Sequence, residues 1–226
     1  MCLPLCKDAH DPVARDARAW KAGKKMWQAI FYVCAVIYGY DTLKKTDWLP
    51  WYLGGSGSFE NFSTNVPYHE VPDGIIDYYM FELGYIAGAS IEHIFFEEVT
   101  NDYTMYILHH VCAVSLIISS YISNFLGIGT LILFHLDLAD IFTNAASGFG
   151  QTKYDSLAAI NFFIMMGVWI YTRLLILPWL VYKCFNNQHA IIEPFWSYGY
   201  DNVLKFSAFM LLLLCIMNYV WFYMFC

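Results

Sequence analysis

Two adjacent apolar runs carry a concentration of ionisable side chains. The segment 108–140 is long enough for two membrane-spanning helices, yet it contains three histidines and two aspartates: His109, His110, His135, Asp137 and Asp140. Charged groups at bilayer depth cost several kcal/mol unless they are paired or solvated, so they usually face the interior of a helix bundle. A histidine close to a carboxylate in low dielectric can act as a general base or accept an acyl group.

Helical spacing predicts that several of these polar residues share faces. At about 100° per residue, Asp137, Asp140 and Asn144 fall within about 60° of one another. On the preceding helix, His110 and Asn124 share a face, and a short link at 124–126 would bring the histidine pair opposite the aspartates. This pattern predicts either an acid/base site or a set of polar contacts that hold the helices together.

The composition indicates a membrane protein. Hydrophobic residues make up 59% of the 226 residues and aromatic residues 19%, which is more apolar surface than one soluble domain of this size could bury. The runs that approach the roughly 20 apolar residues of a transmembrane helix are 26–43, 74–96, 103–123, 127–149, 157–180 and 203–226. We therefore predict an all-α integral membrane protein, a bundle of about six transmembrane helices around a central cavity.

The segment 1–25 differs from the rest of the chain in charge. It holds six of the twelve lysine and arginine residues and lacks the continuous apolar core of a signal peptide. We interpret it as a basic leader, either a short helix on the membrane surface or a solvated segment that sets the topology, ahead of one transmembrane domain at 26–226. The net charge of −7 argues against nucleic acid as a partner.

The sequence predicts no metal site. The seven cysteines are scattered, and no second Cys/His pair follows Cys2 and Cys6 at zinc spacing. A di-iron lipid hydroxylase would need many more clustered histidines than the chain contains.

Other unusual residues in the apolar runs have structural interpretations. Glu82 is expected to face the bundle interior, and Arg173 is expected to pair with a carboxylate. Pro178 is expected to kink or end the fifth helix. The aromatic segment 221–225 is typical of an anchor at the membrane interface.

The segment 109–149 resembles, without gaps, the Lag1 motif of the ceramide synthases, which belong to the wider TLC (TRAM-LAG1-CLN8) family. The segments 78–85, 172–179 and 218–223 resemble flanking parts of the same family, so the resemblance extends from about Lys21 to the end of the chain. It implies the TLC fold and transfer of a fatty acyl group from acyl-CoA to a sphingoid base, with acyl-CoA as a substrate and no cofactor. The residues that it implies for activity are His109, His110, Asp137 and Asp140.

Five polar positions depart from the family pattern. The chain has Ala113, Gly127, Leu136, Asn144 and Ser147 where the family has threonine, arginine, histidine, glutamate and lysine. His135 is not a simple replacement, because it lies about 160° from Asp137 on a regular helix and is expected to point elsewhere. The acids Glu97, Glu98 and Asp102 also replace a basic stretch, which disfavours binding of the CoA phosphates.

These departures favour a ceramide synthase-like protein that has lost catalysis and acts as a lipid-binding or structural subunit of a larger membrane assembly. The residues predicted to line its lipid cavity are Glu82, Asn124, Asn144 and Arg173. The alternative is an active sphingosine N-acyltransferase. The expected partners are membrane lipids and other membrane-protein subunits, in an intracellular organelle membrane: the endoplasmic reticulum for a ceramide synthase, or another membrane, such as a mitochondrial one, for a complex subunit.

Overall fold

A computed structural model describes residues 6–7, 11–51, 54–58, 61, 70–97, 99, 102–186 and 200–225. Its helices are α1 (Pro12–Leu43), α2 (Ile75–Phe96), α3 (Tyr103–Ile122), α4 (Leu126–Gly150), α5 (Asp155–Trp169), α6 (Leu177–Asn186) and α7 (Tyr200–Phe225). A π-helical segment, Ile170–Ile176, joins α5 to α6 without a break. Cys2 and Glu98, which were singled out from the sequence, lie outside the described residues.

The helices confirm the predicted all-α membrane fold. By length and composition, four described helices are long and apolar enough to cross a membrane: Tyr103–Ile122, Leu126–Gly150, Asp155–Lys183 and Asn202–Phe225. The sequence of α2 is interrupted by Asp77, Glu82 and Glu92, and α1 begins with basic residues. The basic part of the predicted leader forms the first turns of α1 from Pro12 onward and is continuous with the run at 26–43.

The chain divides into two compact units. The first unit consists of 1–37 and 134–175, and the second unit consists of 38–133 and 176–226. The boundaries fall inside α1, α4 and the π-helical segment, so each of these continuous helices contributes residues to both units. The expectation of one domain at 26–226 stays a prediction.

In the second unit, α2 and α3 pack against each other in antiparallel directions. Near the start of α2, the Tyr79 hydroxyl lies 3.2 Å from Ser120 Oγ near the end of α3. Near the end of α2, the His93 ring lies stacked on Tyr103 at the start of α3, with 4.7 Å between the ring centroids. The six-residue interval between the helices explains this arrangement, because short links make neighbouring helices antiparallel.

The other side of α3 packs against α7, also antiparallel. Ser119 near the end of α3 and Ser207 near the start of α7 have their hydroxyl oxygens 3.1 Å apart. His109 near the start of α3 contacts Trp221 near the end of α7, with ring centroids 5.3 Å apart. Bonds between hydroxyl groups across helices satisfy polar groups that lipid cannot, so α3 is fixed between α2 and α7.

In the first unit, the beginning of the chain is fastened to the link between α4 and α5. Cys6 forms a β-bridge with Thr152, and Lys7 Nζ lies 2.7 Å from the Asp155 carboxylate. The α1 helix packs closely on α4, because a Cβ atom at Gly148 would lie only 2.9 Å from Met26 Sδ. Glycine at this position therefore leaves room for the flexible side chain of Met26.

The link between α3 and α4 has three residues, 123–125, one position earlier than predicted. Asn124 has a φ of 56°, the left-handed conformation that ends many helices. The amide of Phe125 donates to the carbonyl of Ser120, and the amide of Asn124 donates to the carbonyl of Tyr121, which together form a Schellman motif. Asn124 therefore lies outside α3, and the helical angle that placed it on the face of His110 was wrong because the backbone is not helical there.

Of the two outcomes expected at Pro178, a kink or an end of the fifth helix, the structure excludes the end, because α6 continues to Asn186. Proline has no amide hydrogen, and its ring collides with the carbonyl four residues earlier, which here belongs to Leu174. The turns before Pro178 are π-helical, with hydrogen bonds to the fifth residue instead of the fourth. The wider turn accommodates the proline without a gap between the helical segments.

Replacing Asn124 tests the turn between α3 and α4. Asn124→Ala should lower the free energy of unfolding by about 1 kcal/mol, because alanine tolerates the left-handed conformation less well than asparagine. Asn124→Gly should be neutral or slightly stabilising, since glycine adopts this conformation freely. Thermal unfolding in detergent measures both variants, and an equal loss in both would contradict a conformational origin.

Candidate functional site

A buried ion pair joins α4 to the π-helical segment in the first unit. Arg173 Nη2 lies 2.7 Å from Asp140 Oδ1, and the side chains are 3% and 23% exposed. The same nitrogen donates a hydrogen bond of 3.2 Å to the carbonyl of Leu136. This geometry confirms the prediction that Arg173 pairs with a carboxylate, and it identifies Asp140 as the partner.

An indole ring completes the surroundings of the guanidinium. The central carbon of Arg173 lies 4.4 Å from the centre of the Trp169 ring, in the range of a cation–π interaction. Trp169 and Thr172 are both buried beside it. The π-helical turn that carries Arg173 was not predicted, because helical periodicity assumes a constant angle per residue.

Asn144 is tied to α1 as well as to its own helix. Lys25 Nζ donates to Asn144 Oδ1 at 3.3 Å and to Gln28 Oε1 at 2.9 Å. Asn144 Nδ2 donates to the backbone carbonyl of Asp140 at 2.9 Å. The predicted polar stripe therefore includes Asp140 and Asn144 as structural neighbours, and it receives a lysine from the end of the predicted leader.

Asp137 and His135 are equally buried in the protein, since each is only 4% exposed. In its most apolar stretch, α4 has 56% of its residues buried, against 11–28% for the other three candidate spans. Because α4 is covered on more than one side, a residue about 160° from Asp137 can be buried as well. The expected direction of His135, away from the aspartates, stays a prediction.

The paired histidines lie in an aromatic cluster of the second unit. The ring of His109 lies 5.8 Å from that of His110 and 5.3 Å from that of Trp221. The ring of His110 lies 5.8 Å from that of His93, and Tyr106 contacts both His93 and Trp221. We call these five residues the imidazole–aromatic cluster.

His93 and Trp221 were missed as members of this cluster. His93 had a usable signal, because it and His110 lie within about two turns of the same short link between α2 and α3. Trp221 was interpreted as an interfacial anchor, which was wrong, because it is 6% exposed whereas the nearby Tyr223 is 82% exposed. A dense aromatic run carries no signal that separates buried members from exposed ones.

The remaining candidate residues are placed as follows. Glu82 lies on α2 in the second unit and is fully buried, as expected for an acid inside the bundle. Its role in lining a lipid cavity, like that of Asn124, stays a prediction.

His109 and His110 belong to the second unit, whereas Asp137 and Asp140 belong to the first. The expectation that the histidines and aspartates meet in one site stays a prediction.

The described helices carry a histidine pair on α3 and two aspartates on the next helix, α4. The chain belongs to the TRAM-LAG1-CLN8 family, described as the TLC domain, which matches residues 21–226. This membership confirms the resemblance inferred from the Lag1-like motif.

The chain is similar to several ceramide synthases. It is 28% identical to ceramide synthase hyl-1 of Caenorhabditis elegans over 218 residues, which cover 92% of this chain and 56% of that protein. It is 29% identical to human ceramide synthase 5 over 202 residues, or 89% and 48% of the two chains. It is 21% identical to ceramide synthase LOH2 of Arabidopsis thaliana over 94% of this chain and 70% of that protein. The chain thus spans about half the length of the first two relatives.

Substitutions at the buried ion pair test its contribution to stability. Arg173→Met should lower the free energy of unfolding by about 3–5 kcal/mol, because it leaves the Asp140 charge without its partner. Combining it with Asp140→Leu should recover much of that loss, since both charges are then absent. Lys45→Met, at an exposed pair with Asp41 of 2.9 Å, is the control and should change little. Thermal unfolding in detergent that gives equal losses for Arg173→Met and Lys45→Met would contradict this account.

Truncating Trp221 tests whether it shields His109. Trp221→Ala should increase several-fold the rate at which a histidine-directed acylating reagent modifies His109, measured by peptide mass spectrometry. Trp221→Phe should retain most of the protection, because a ring remains beside the imidazole. Tyr223→Ala removes an exposed aromatic side chain of the same helix and should leave the rate unchanged; an equal increase in this control would contradict a specific contact.

Proposed function

We propose that this ceramide synthase-like TLC protein holds a long-chain lipid in the membrane and does not transfer acyl groups from acyl-CoA. The observation that supports this proposal best is that Gly127, Leu136 and Ser147 stand where the family pattern has arginine, histidine and lysine. Asp140, which the family resemblance assigns to catalysis, is bound to the buried guanidinium of Arg173 at 2.7 Å. Arg173 belongs to the family pattern as well, so this pair alone does not separate an active from an inactive protein.

Acyl transfer from CoA makes demands that this arrangement does not meet. The site must bind the CoA phosphates and stabilise a developing oxyanion, and losing one donor can cost about 10²–10³ in rate. Arg173 is already engaged by Asp140, by the Leu136 carbonyl and by the face of Trp169. The family's arginine and lysine positions in the motif are Gly127 and Ser147 here, so those positions supply no cation.

The contact between Asn144 and Lys25 supports the same conclusion. The family has a glutamate at this position, whereas the amide of Asn144 accepts a hydrogen bond from Lys25 and carries no charge. A carboxamide neither ionises nor takes up a proton near neutral pH, so it cannot replace a carboxylate as a general acid or base. Asn144 is suited to helix packing between α1 and α4.

The imidazole–aromatic cluster supports lipid binding. Lipid sites need mostly apolar walls with a few polar groups that fix the headgroup. In the cluster, the rings of Trp221 and Tyr106 lie beside the half-buried imidazoles of His109 and His110. Imidazoles can exchange hydrogen bonds with the amine and hydroxyl groups of a sphingoid lipid, while the aromatic rings contact its chain.

The protein is further proposed to be a subunit of a larger assembly in an intracellular organelle membrane, for example a mitochondrial membrane. The retained fold together with the five changed motif positions supports this view, because selection for packing and lipid binding does not need the catalytic polar groups. Its partners are then membrane lipids and neighbouring membrane proteins.

A second candidate function is an active sphingosine N-acyltransferase of the endoplasmic reticulum, with acyl-CoA as substrate. The observation that favours it is the distance of 5.8 Å between the rings of His110 and His93. A second imidazole beside the histidine pair could take up a proton while the pair accepts an acyl group, and it would supply a histidine in place of Leu136.

An acyl transfer assay distinguishes the two candidates. The full-length protein is purified in detergent and incubated with palmitoyl-CoA and sphinganine, and N-acyl product is measured by mass spectrometry. We expect no product above that of the His110→Ala variant, because the cationic donors are absent or engaged. We also expect a long-chain lipid to co-purify in stoichiometric, non-covalent amounts.

Human ceramide synthase 5, prepared in the same way, serves as the positive control for the assay. Trp221→Ala should reduce the amount of co-purified lipid, whereas Tyr223→Ala should not. Product that disappears in His110→Ala, or a covalent acyl adduct on His109 or His110, would establish the active enzyme instead. Purification of the protein without any long-chain lipid would contradict the binding function.

A further inference from the structure

The first turns of α1 carry an exposed basic face. Between Asp11 and Trp27 the chain has five basic and two acidic residues, although its net charge is −7. Arg15, Arg18 and Lys21 of this segment are exposed. A local excess of positive charge in an acidic protein is the pattern expected of a surface that meets an anionic partner.

The charges on this face are not equally neutralised. Arg15 lies 3.5 Å from Asp16, and Lys25 is hydrogen-bonded to Gln28 and Asn144. Arg18 and Lys21 make no ion pair or side-chain hydrogen bond within the described part of the chain. No described residue therefore neutralises these two charges.

Two exposed tryptophans lie in the same part of α1, on a different face from Arg18 and Lys21. Trp20 is 77% exposed and Trp27 is 66% exposed. They are seven residues apart, so they lie on one face of α1, separated by about 10 Å along its axis. Tryptophan is enriched where a helix passes through the boundary between headgroups and acyl chains.

Beyond Trp27, the exposed side chains of α1 in the first unit are apolar. Ile30 and Ile37 are 55% and 65% exposed, a degree of exposure that lipid tails accommodate without cost. The helix continues without a break from the basic turns into this apolar face. The change from charged to apolar exposure therefore marks the membrane boundary near Trp20 and Trp27, which puts Arg18 and Lys21 at the level of the headgroups.

We propose that Arg18 and Lys21, at the level of Trp20 along α1, bind the headgroups of acidic phospholipids in the surrounding bilayer. Guanidinium and ammonium groups recognise phosphate by charge-assisted hydrogen bonds, and juxtamembrane basic residues are attracted to anionic leaflets. The site is separate from the proposed lipid-binding cluster, because no residue of the imidazole–aromatic cluster takes part in it.

Lipid selectivity in reconstituted vesicles tests this site. Full-length protein in phosphatidylcholine vesicles receives spin-labelled phosphatidylserine or spin-labelled phosphatidylcholine, and electron paramagnetic resonance measures the fraction of immobilised label. The native protein should immobilise phosphatidylserine several-fold more than phosphatidylcholine, and high salt should reduce this excess. The double variant Arg18→Gln with Lys21→Gln should lose most of the excess.

The matched control is the double variant Lys44→Gln with Lys45→Gln. It removes the same charge at the other end of α1, where both lysines are already paired with Asp41 at 2.6 and 2.9 Å, and it should keep the excess. An equal loss in both variants would overturn the site, and so would the absence of any excess in the native protein, which would assign the face to a protein partner. The salt titration of the native protein decides the question even where a variant fails to fold.

Discussion

A polar group inside a bilayer must find its partner within the protein, because lipid offers none. Asp140 and Arg173 meet this constraint by pairing two opposite charges inside the protein. The charge of Asp140 on α4 is paired with that of Arg173 on the π-helical segment that follows α5. The guanidinium also donates to the carbonyl of Leu136 and lies over the ring of Trp169. The hydroxyl groups of Ser119 and Ser207 satisfy each other in the same way, through a weaker hydrogen bond between neutral groups. The polar residues that make the motif recognisable are thus also the residues that hold its helices together.

This double role limits what a polar pattern can say about activity. A catalytic aspartate and a structural aspartate both need a partner at bilayer depth, so the presence of Asp140 in the motif does not separate the two. The surrounding positions are more informative, because a reacting site needs several donors at once whereas a structural pair needs one. Gly127, Leu136 and Ser147 supply none of the side chains that the family pattern has at these positions.

Much of the fold and part of the site could be predicted from the sequence, and the failures have physical causes. The lengths and composition of the apolar runs were sufficient to predict the helices. The cost of a buried charge was sufficient to predict that Arg173 is paired. The assumption of a constant angle per residue failed where the backbone is not α-helical. These places are the left-handed Asn124 and the π-helical turn before Pro178. The burial of Trp221 and its contact with His109 depend on how α7 packs against α3, and periodicity along one helix does not contain that information.

The attachment of Cys6 and Lys7 to the link between α4 and α5 has a consequence for how the protein is made. The first unit is assembled from 1–37 and 134–175, so about a hundred residues are synthesised between its two parts. At roughly 5–20 residues per second, the second part of the unit is therefore synthesised several seconds after the first. During that interval Lys25 has no Asn144 to bind. The contacts of the first unit can form only after its second part has been made.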